Sequence, residues 1–275
     1  KSIKRMCKKI HEFLLDLEKS EICVYNFDDL CISESLGYGG YGQVYRGTVK
    51  EKKRALKRLY FEMNELEVFL SYLLREMKYC KEMRSHRLLK IYGISYDEYN
   101  EELYVVMELL TTEDLSVYLR RNKLCREEKK EIFNSLELAL RDLHELNYIH
   151  SDLKPENLCY YHDYKRGTKY IKILDYNLMS KLPKNTEVMN GSNGTYGYSA
   201  PEQFHGEICK ASDIYAVGVI YLEMLCEGNM WEGCGDNYQK CRKKVLEKLE
   251  EIVEDKEYEK LSSYLRYGYK QRGQN

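Results

Sequence analysis

His150-Ser151-Asp152-Leu153-Lys154-Pro155-Glu156-Asn157 sets a carboxylate, an ammonium and a carboxamide at the spacing needed to move a phosphoryl group from a nucleotide to a hydroxyl. Asp152 is placed to orient the accepting hydroxyl and take its proton late. Lys154 would neutralise charge building on the transferred phosphate, and Asn157, five residues after Asp152, would hold a Mg²⁺ ion. The reading gains weight from what stands on either side, because the expected partners of this stretch occur in the expected order.

Upstream, Gly37-Tyr38-Gly39-Gly40-Tyr41-Gly42-Gln43-Val44 fits G-x-G-x-x-G-x-V. Gly37, Gly39, Gly40 and Gly42 let backbone N–H groups approach phosphate oxygens closely. Dinucleotide-binding folds carry a similar string, but there a helix follows. Here Val44-Tyr45-Arg46 continues as a strand, which points to a glycine-rich hairpin lying over ATP. Lys57 follows on the next strand, in Ala55-Leu56-Lys57, where it would grip the α- and β-phosphates. A lone Lys on a strand is usually just a solvated charge. Glu76, 19 residues later on a helix face shared with Phe69 and Leu73, supplies its expected ion-pair partner. Downstream, Ile173-Leu174-Asp175-Tyr176-Asn177 closes the set, with Asp175 chelating Mg²⁺ between the phosphates.

Around these motifs the pattern changes once along the chain. Ile3, Met6, Cys7, Ile10, Phe13, Leu14 and Leu17 recur at helical spacing and predict an amphipathic first helix. It reads as a flanking helix packed on the domain, or as a docking helix for a partner or a missing domain. Strands are expected at Ile32–Leu36, Gly42–Gly47, Arg54–Leu59, Leu88–Ile94 and Leu103–Met107, with one long helix at Asn64–Met83. Beyond Leu110 helices dominate, at 114–121, 126–147, 208–227 and 237–264, interrupted by a strand pair, Cys159–Tyr161 and Tyr170–Leu174.

Composition bounds the rest. With 275 residues the chain is long enough for one two-lobed domain with a real core. Its formal charge of −1, from 44 basic and 45 acidic residues, gives no global field toward nucleic acid or an anionic membrane. The longest apolar stretch, Tyr215 to Leu222, is too short to span a bilayer. Ten Cys without C-x-x-C spacing read as free thiols, and with no targeting signal they point to the cytoplasm. A first residue of Lys rather than Met points to an excised domain.

With these residues in place, positions 25–275 resemble the eukaryotic protein-kinase family. Ala200-Pro201-Glu202 is similar to the motif that ends its activation segment, Asp213 and Gly218 to the D-x-x-x-x-G of its central helix, and Arg272 to the Arg that pairs with Glu202. The resemblance implies an α+β, bilobal fold with a five-stranded antiparallel N-lobe sheet, one N-lobe helix and a mainly helical C-lobe. The divisions are 1–24 for the flanking helix, 25–110 for the N-lobe and hinge, and 111–275 for a C-lobe with a short C-terminal end. It also implies that Val44, Ala55 and Cys159 sandwich adenine, that Met107 is the gatekeeper, and that the hinge Glu108 to Leu110 hydrogen-bonds adenine. Leu153 to Asn157 resembles the serine/threonine form of the catalytic loop, so protein substrates are implied. The glycine-rich stretch and the Gly194-Thr195-Tyr196 loop look most like the tyrosine-kinase-like group, including receptor-like and Pelle-type kinases. Thr195 falls where the family bridges Asp152 and Lys154.

Two departures stand out. Ser151 replaces an Arg that commonly binds a phosphate on the activation segment, which implies weaker dependence on phosphorylation there. Tyr176-Asn177 replaces Phe-Gly; Tyr adds a hydroxyl that needs a partner, and Asn tolerates positive φ. An active kinase is one reading. A pseudokinase that holds nucleotide and acts as a scaffold is the other.

Overall fold

The computed structural model describes residues 2–39, 42–62, 64–191, 193–226, 228–253, 257–266 and 270. Gly40 and Arg272 lie outside the described residues. The chain divides into two compact units, Lys1–Thr111 and Thr112–Asn275.

The first unit contains α1 (Ser2–Lys19), β1 (Val24–Tyr25), β2 (Leu30–Gly39), β3 (Gly42–Val49), β4 (Lys52–Leu59), α2 (Leu66–Glu82), β5 (Ile91–Asp97) and β6 (Glu102–Met107). Its strands form one sheet in the order β1-β5-β6-β4-β3-β2. The five expected strands are present and pair antiparallel. A sixth, β1, adds in parallel to β5 through Val24↔Ile94 and Tyr25↔Ser95, so the sheet is mainly rather than wholly antiparallel. Two residues are too few for alternation to show in sequence.

Helix α1 exists because its apolar residues have somewhere to go. Met6, Ile10, Phe13 and Leu17 are buried in one cluster with Leu66, Leu70, Leu73 and Met77 of α2 and with Ile94, Leu103 and Val105 of the sheet. Both helical stripes run at i, i+4, i+7 and i+11, the spacing that keeps one face toward a neighbour. Lys9 pairs with Glu67 near the start of α2. Lys81, near its end, bonds Ser20 O at 3.1 Å and pairs with Glu21. The two helices therefore run in the same direction. The exposed ion pairs contribute little; burial of the stripes, about 1.5–3 kcal/mol for each large side chain, holds α1 in place.

The second unit contains α3 (Leu115–Arg121), α4 (Arg126–Glu145), β7 (Tyr148–Ile149), β8 (Leu158–Asp163), β9 (Thr168–Ile173), β10 (Ser180–Lys181), β11 (Val188–Asn190), β12 (Glu207–Cys209), α5 (Lys210–Leu225), α6 (Tyr238–Glu251) and α7 (Tyr258–Leu265). The strands make three antiparallel pairs, β8–β9, β7–β10 and β11–β12. Helix α5 is buried from Tyr215 through Leu222, and the ring of Tyr221 stacks on Phe133 of α4 with centroids 4.1 Å apart. Gly218 is required by close approach: a Cβ there would lie 2.9 Å from Cβ of Tyr264 on α7. The single helix expected over 237–264 is two, α6 ending at Glu251 and α7 starting after Glu257. Helical periodicity continues through both, so the interruption was not visible in the pattern.

Phe13→Ala removes a ring that is 5% exposed from the first unit's core. It is expected to destabilise that unit by about 3–5 kcal/mol, read from the denaturant midpoint by circular dichroism. A loss below about 1 kcal/mol would mean that α1 contributes little to the unit.

Candidate active site

In the first unit the strand register gathers predicted nucleotide-site residues on one face. Val44 pairs with Lys57, Lys57 with Val105, and Ala55 with Met107. Cross-strand partners point to the same side of a sheet, and so do residues two apart, so Val44, Ala55, Lys57 and Met107 share a face. Gly37 pairs with Val44 and Gly39 with Gly42 at the tip of β2–β3. Gly42 is needed for strand packing as well, since a Cβ there would meet Arg58 O at 2.0 Å. Glu108 N donates to Lys90 O at 2.8 Å, and its carboxylate accepts from Lys90 N at 3.3 Å. Leu110 is half-buried. Lys57 and Glu76 are each half-buried. The structure does not bring them into an ion pair: among the described residues no carboxylate lies within salt-bridge distance of the Lys57 ammonium. Glu76 instead faces Cys80 one turn on, whose thiol is pushed up by burial and further by that carboxylate.

In the second unit the predicted catalytic groups meet. Thr195 Oγ1 donates to Asp152 Oδ1 at 2.6 Å, and Lys154 Nζ donates to Thr195 Oγ1 at 2.8 Å. Lys154 Nζ also lies 3.3 Å from Asp152 Oδ2, with 15% of the Asp152 side chain left exposed. The carboxylate is thus aimed by two partners and still open to an incoming hydroxyl. Asn157 Nδ2 donates to Asp152 O at 2.8 Å and to Asp152 Oδ2 at 3.2 Å. This leaves the Asn157 carbonyl oxygen for a cation. Leu174 N donates to Asn157 O at 3.0 Å, which seats Asp175 beside Asn157 at one end of the β8–β9 pair. The donor set is two hard oxygens, one a carboxylate, which suits Mg²⁺ drawing its remaining ligands from phosphate and water. Among the described residues no group of three or more His, Cys, Asp or Glu could hold a metal by itself. Cys159 is fully buried, with its Sγ 2.9 Å from Thr112 Oγ1.

The catalytic loop is held from below by a residue that sequence reading matched but gave no role. Asp213, at the start of α5, is 1% exposed. Its carboxylate accepts from His150 N and Ser151 N, each at 2.9 Å, and bonds His144 Nε2 at 2.8 Å. These bonds hold Ser151 at φ +69°. A left-handed non-glycine residue costs about 1–2 kcal/mol, so the conformation persists only because the surroundings impose it.

The departures at 176 and 177 also resolve. Tyr176 is 2% exposed, and its hydroxyl donates to Ile173 O at 3.3 Å. Asn177 does not take the positive φ that its tolerance suggested. Its N–H donates to Asp175 Oδ1 at 3.0 Å, while its side-chain nitrogen is buried without a partner.

Beyond Thr195, Tyr198 OH donates to Glu223 Oε2 at 2.7 Å and Trp231 Nε1–H to Glu223 Oε1 at 2.9 Å. A Cβ on Gly197 would lie 3.1 Å from the Trp231 ring, so the backbone passes closely over the indole. Burial raises the Glu223 carboxyl above the ordinary range; the two donors oppose this and the Glu156 charge adds to it.

The protein kinase domain family model matches residues 31–267. Calcium-dependent protein kinase 5 of Plasmodium berghei is 31% identical over 94% of this chain and 44% of its own length. The Plasmodium falciparum protein of the same name is 30% identical over 92% of this chain and 45% of its own length. An Arabidopsis thaliana LEAF RUST 10 disease-resistance locus receptor-like protein kinase, like 1.4, is 28% identical over 75% of this chain and 32% of its own length. The chain spans less than half the length of each of these relatives.

Glu223 generates a pH prediction. With its folded pKa raised, the folded state favours the protonated carboxyl, so this group's contribution is present at low pH and lost as pH rises through the folded pKa. Glu223→Gln is therefore expected to melt above the wild type at pH about 8, with the gap closing as pH falls toward the ordinary carboxylate range. A gap that did not change with pH would refute the assignment.

Proposed function

The chain belongs to the protein kinase family, and on that premise we propose that it transfers the γ-phosphate of ATP to Ser or Thr hydroxyls of proteins with Mg²⁺. The observation that carries the proposal is the closed set Asp152, Thr195 and Lys154, with Asn157 bonded to the same carboxylate. The substrate hydroxyl donates its hydrogen bond to Asp152, which orients the oxygen toward phosphorus and receives the proton as the new O–P bond forms and the bond to the leaving ADP oxygen breaks. Lys154 offsets the charge on the transferring group. Lys57 and the backbone of the glycine hairpin hold the phosphates, and the family resemblance assigns the adenine to Val44, Ala55, Met107, Glu108, Leu110 and Cys159. Asn157 and Asp175 would hold Mg²⁺, which when bound neutralises phosphate charge. Positioning and charge neutralisation supply the rate. All ten cysteines are free thiols, which suits a reducing compartment such as the cytoplasm. No helix among the described residues is long and apolar enough to cross a membrane.

A second reading, a nucleotide-binding pseudokinase, is favoured by Ser151 at the position of the usual Arg and by the unpartnered Asn177 amide.

Transfer from labelled ATP with Mg²⁺ to a generic basic protein separates the two. Asp152→Ala is expected to abolish transfer while ATP still raises the melting temperature; unchanged turnover would remove Asp152 from its role. Thr195→Ala, which leaves Asp152 and Lys154 without their shared hydroxyl, is expected to lower kcat at least about tenfold. Wild-type protein that binds ATP and transfers nothing would favour the pseudokinase.

A further inference from the structure

Gln203 lies in the short turn Pro201–His205 and is 2% exposed. Its Oε1 accepts from Ala200 N at 2.9 Å, and its Nε2 donates to Ser151 O at 2.9 Å. The segment that leads from Asp175 to Ala200-Pro201-Glu202 is thereby fastened at its far end to the residue before Asp152.

Ser151 is thus gripped at both backbone groups by different elements: its N–H by Asp213 of α5, its carbonyl by Gln203. Its own hydroxyl takes no part, being buried without a partner. The fit around the carbonyl is close. Gly194 stands at φ +66°, and a Cβ there would lie 2.5 Å from Ser151 O and 3.2 Å from Gln203 Nε2. Ser151, Asp152, Thr195, Ser199, Gln203 and Asp213 line one narrow pocket.

We propose that Gln203 is a positioning residue for phosphoryl transfer, acting through the left-handed backbone of Ser151. The carbonyl it holds belongs to the peptide between Ser151 and Asp152. Were Ser151 to relax to an ordinary φ, that peptide would turn, the carbonyl would be buried without a donor, and the Asp152 carboxylate would leave Thr195 and Lys154. The clamp needs no phosphate. The proposal rests on the kinase reading.

Gln203→Glu in the full chain tests it. The variant keeps an acceptor for Ala200 N but sets a carboxylate against the Ser151 carbonyl. Its kcat is expected to fall at least about tenfold, with KM for ATP changed less than about twofold, because misplacement of the base acts on the chemical step. Protonation restores an O–H donor, so the deficit relative to the wild type is expected to narrow as pH falls from about 8 to 6. A wild-type kcat, or a deficit independent of pH, would overturn the proposal. Should Gln203→Glu not fold, Gln203→Met alone and with Ser151→Gly decides. Gly takes φ +69° without the clamp, so recovery of kcat in the double variant supports the proposal and its absence overturns it. If the wild type transfers no phosphate, the kinase reading fails separately. Amide hydrogen exchange over residues 150–154 then decides the clamp: faster exchange in the variant upholds it, and equal exchange rejects it.

Discussion

A single buried carboxylate, that of Asp213, holds the catalytic loop in a shape it would not keep alone. Removing a charge from water is costly unless it is fully hydrogen-bonded. Asp213 meets that demand with His150 N, Ser151 N and His144 Nε2. Two of those donors are consecutive backbone amides, so satisfying the charge bends the chain at Ser151 to φ +69°. That bend directs Asp152 toward Thr195 and Lys154. The strain of one residue is thereby converted into the aim of the next, and Gln203 closes the arrangement from the other side of the peptide.

The first unit has a parallel logic built from apolar contacts. Its sheet register decides which side chains share a face, because pleating sends alternate residues to opposite sides. That is enough to place Val44, Ala55, Lys57 and Met107 together. Helix α2, which carries Glu76, is covered by α1 along a matched stripe and tied near both ends by Lys9 and Lys81. The apolar face of α1, which in sequence read either as packing on the domain or as docking to a partner or a missing domain, is buried within its own unit.

The unusual residues are accommodated by the polar groups around them. Tyr176 finds an acceptor in Ile173 O, so the added hydroxyl is satisfied. Asn177 adopts an ordinary φ, so the freedom of a glycine is not needed there, although its side-chain amide nitrogen is left buried and unpartnered. Ser151 departs furthest: it contributes backbone geometry and no side-chain bond.

Much was legible in the chain itself. The spacing of Asp152, Lys154 and Asn157 sets their grouping because they lie within one short loop, where covalent geometry limits how far they can part. Helices α1, α2 and α4 carry an apolar stripe at helical spacing, and α5 shows instead as a continuous apolar stretch from Tyr215 to Leu222. Strand β1, the interruption between α6 and α7, and the separation of Lys57 from Glu76 have no such signal, since each depends on neighbours supplied by the fold. The roles of Asp213 and Gln203 were equally silent. Their bonds to Ser151 join residues 62 and 52 positions apart, and no local pattern records which distant donor will meet a buried acceptor. Sequence alone determined the family and named the chemical groups of the candidate site; tertiary structure decided the backbone strain beside them, because that strain is sustained only by contacts between remote parts of the chain.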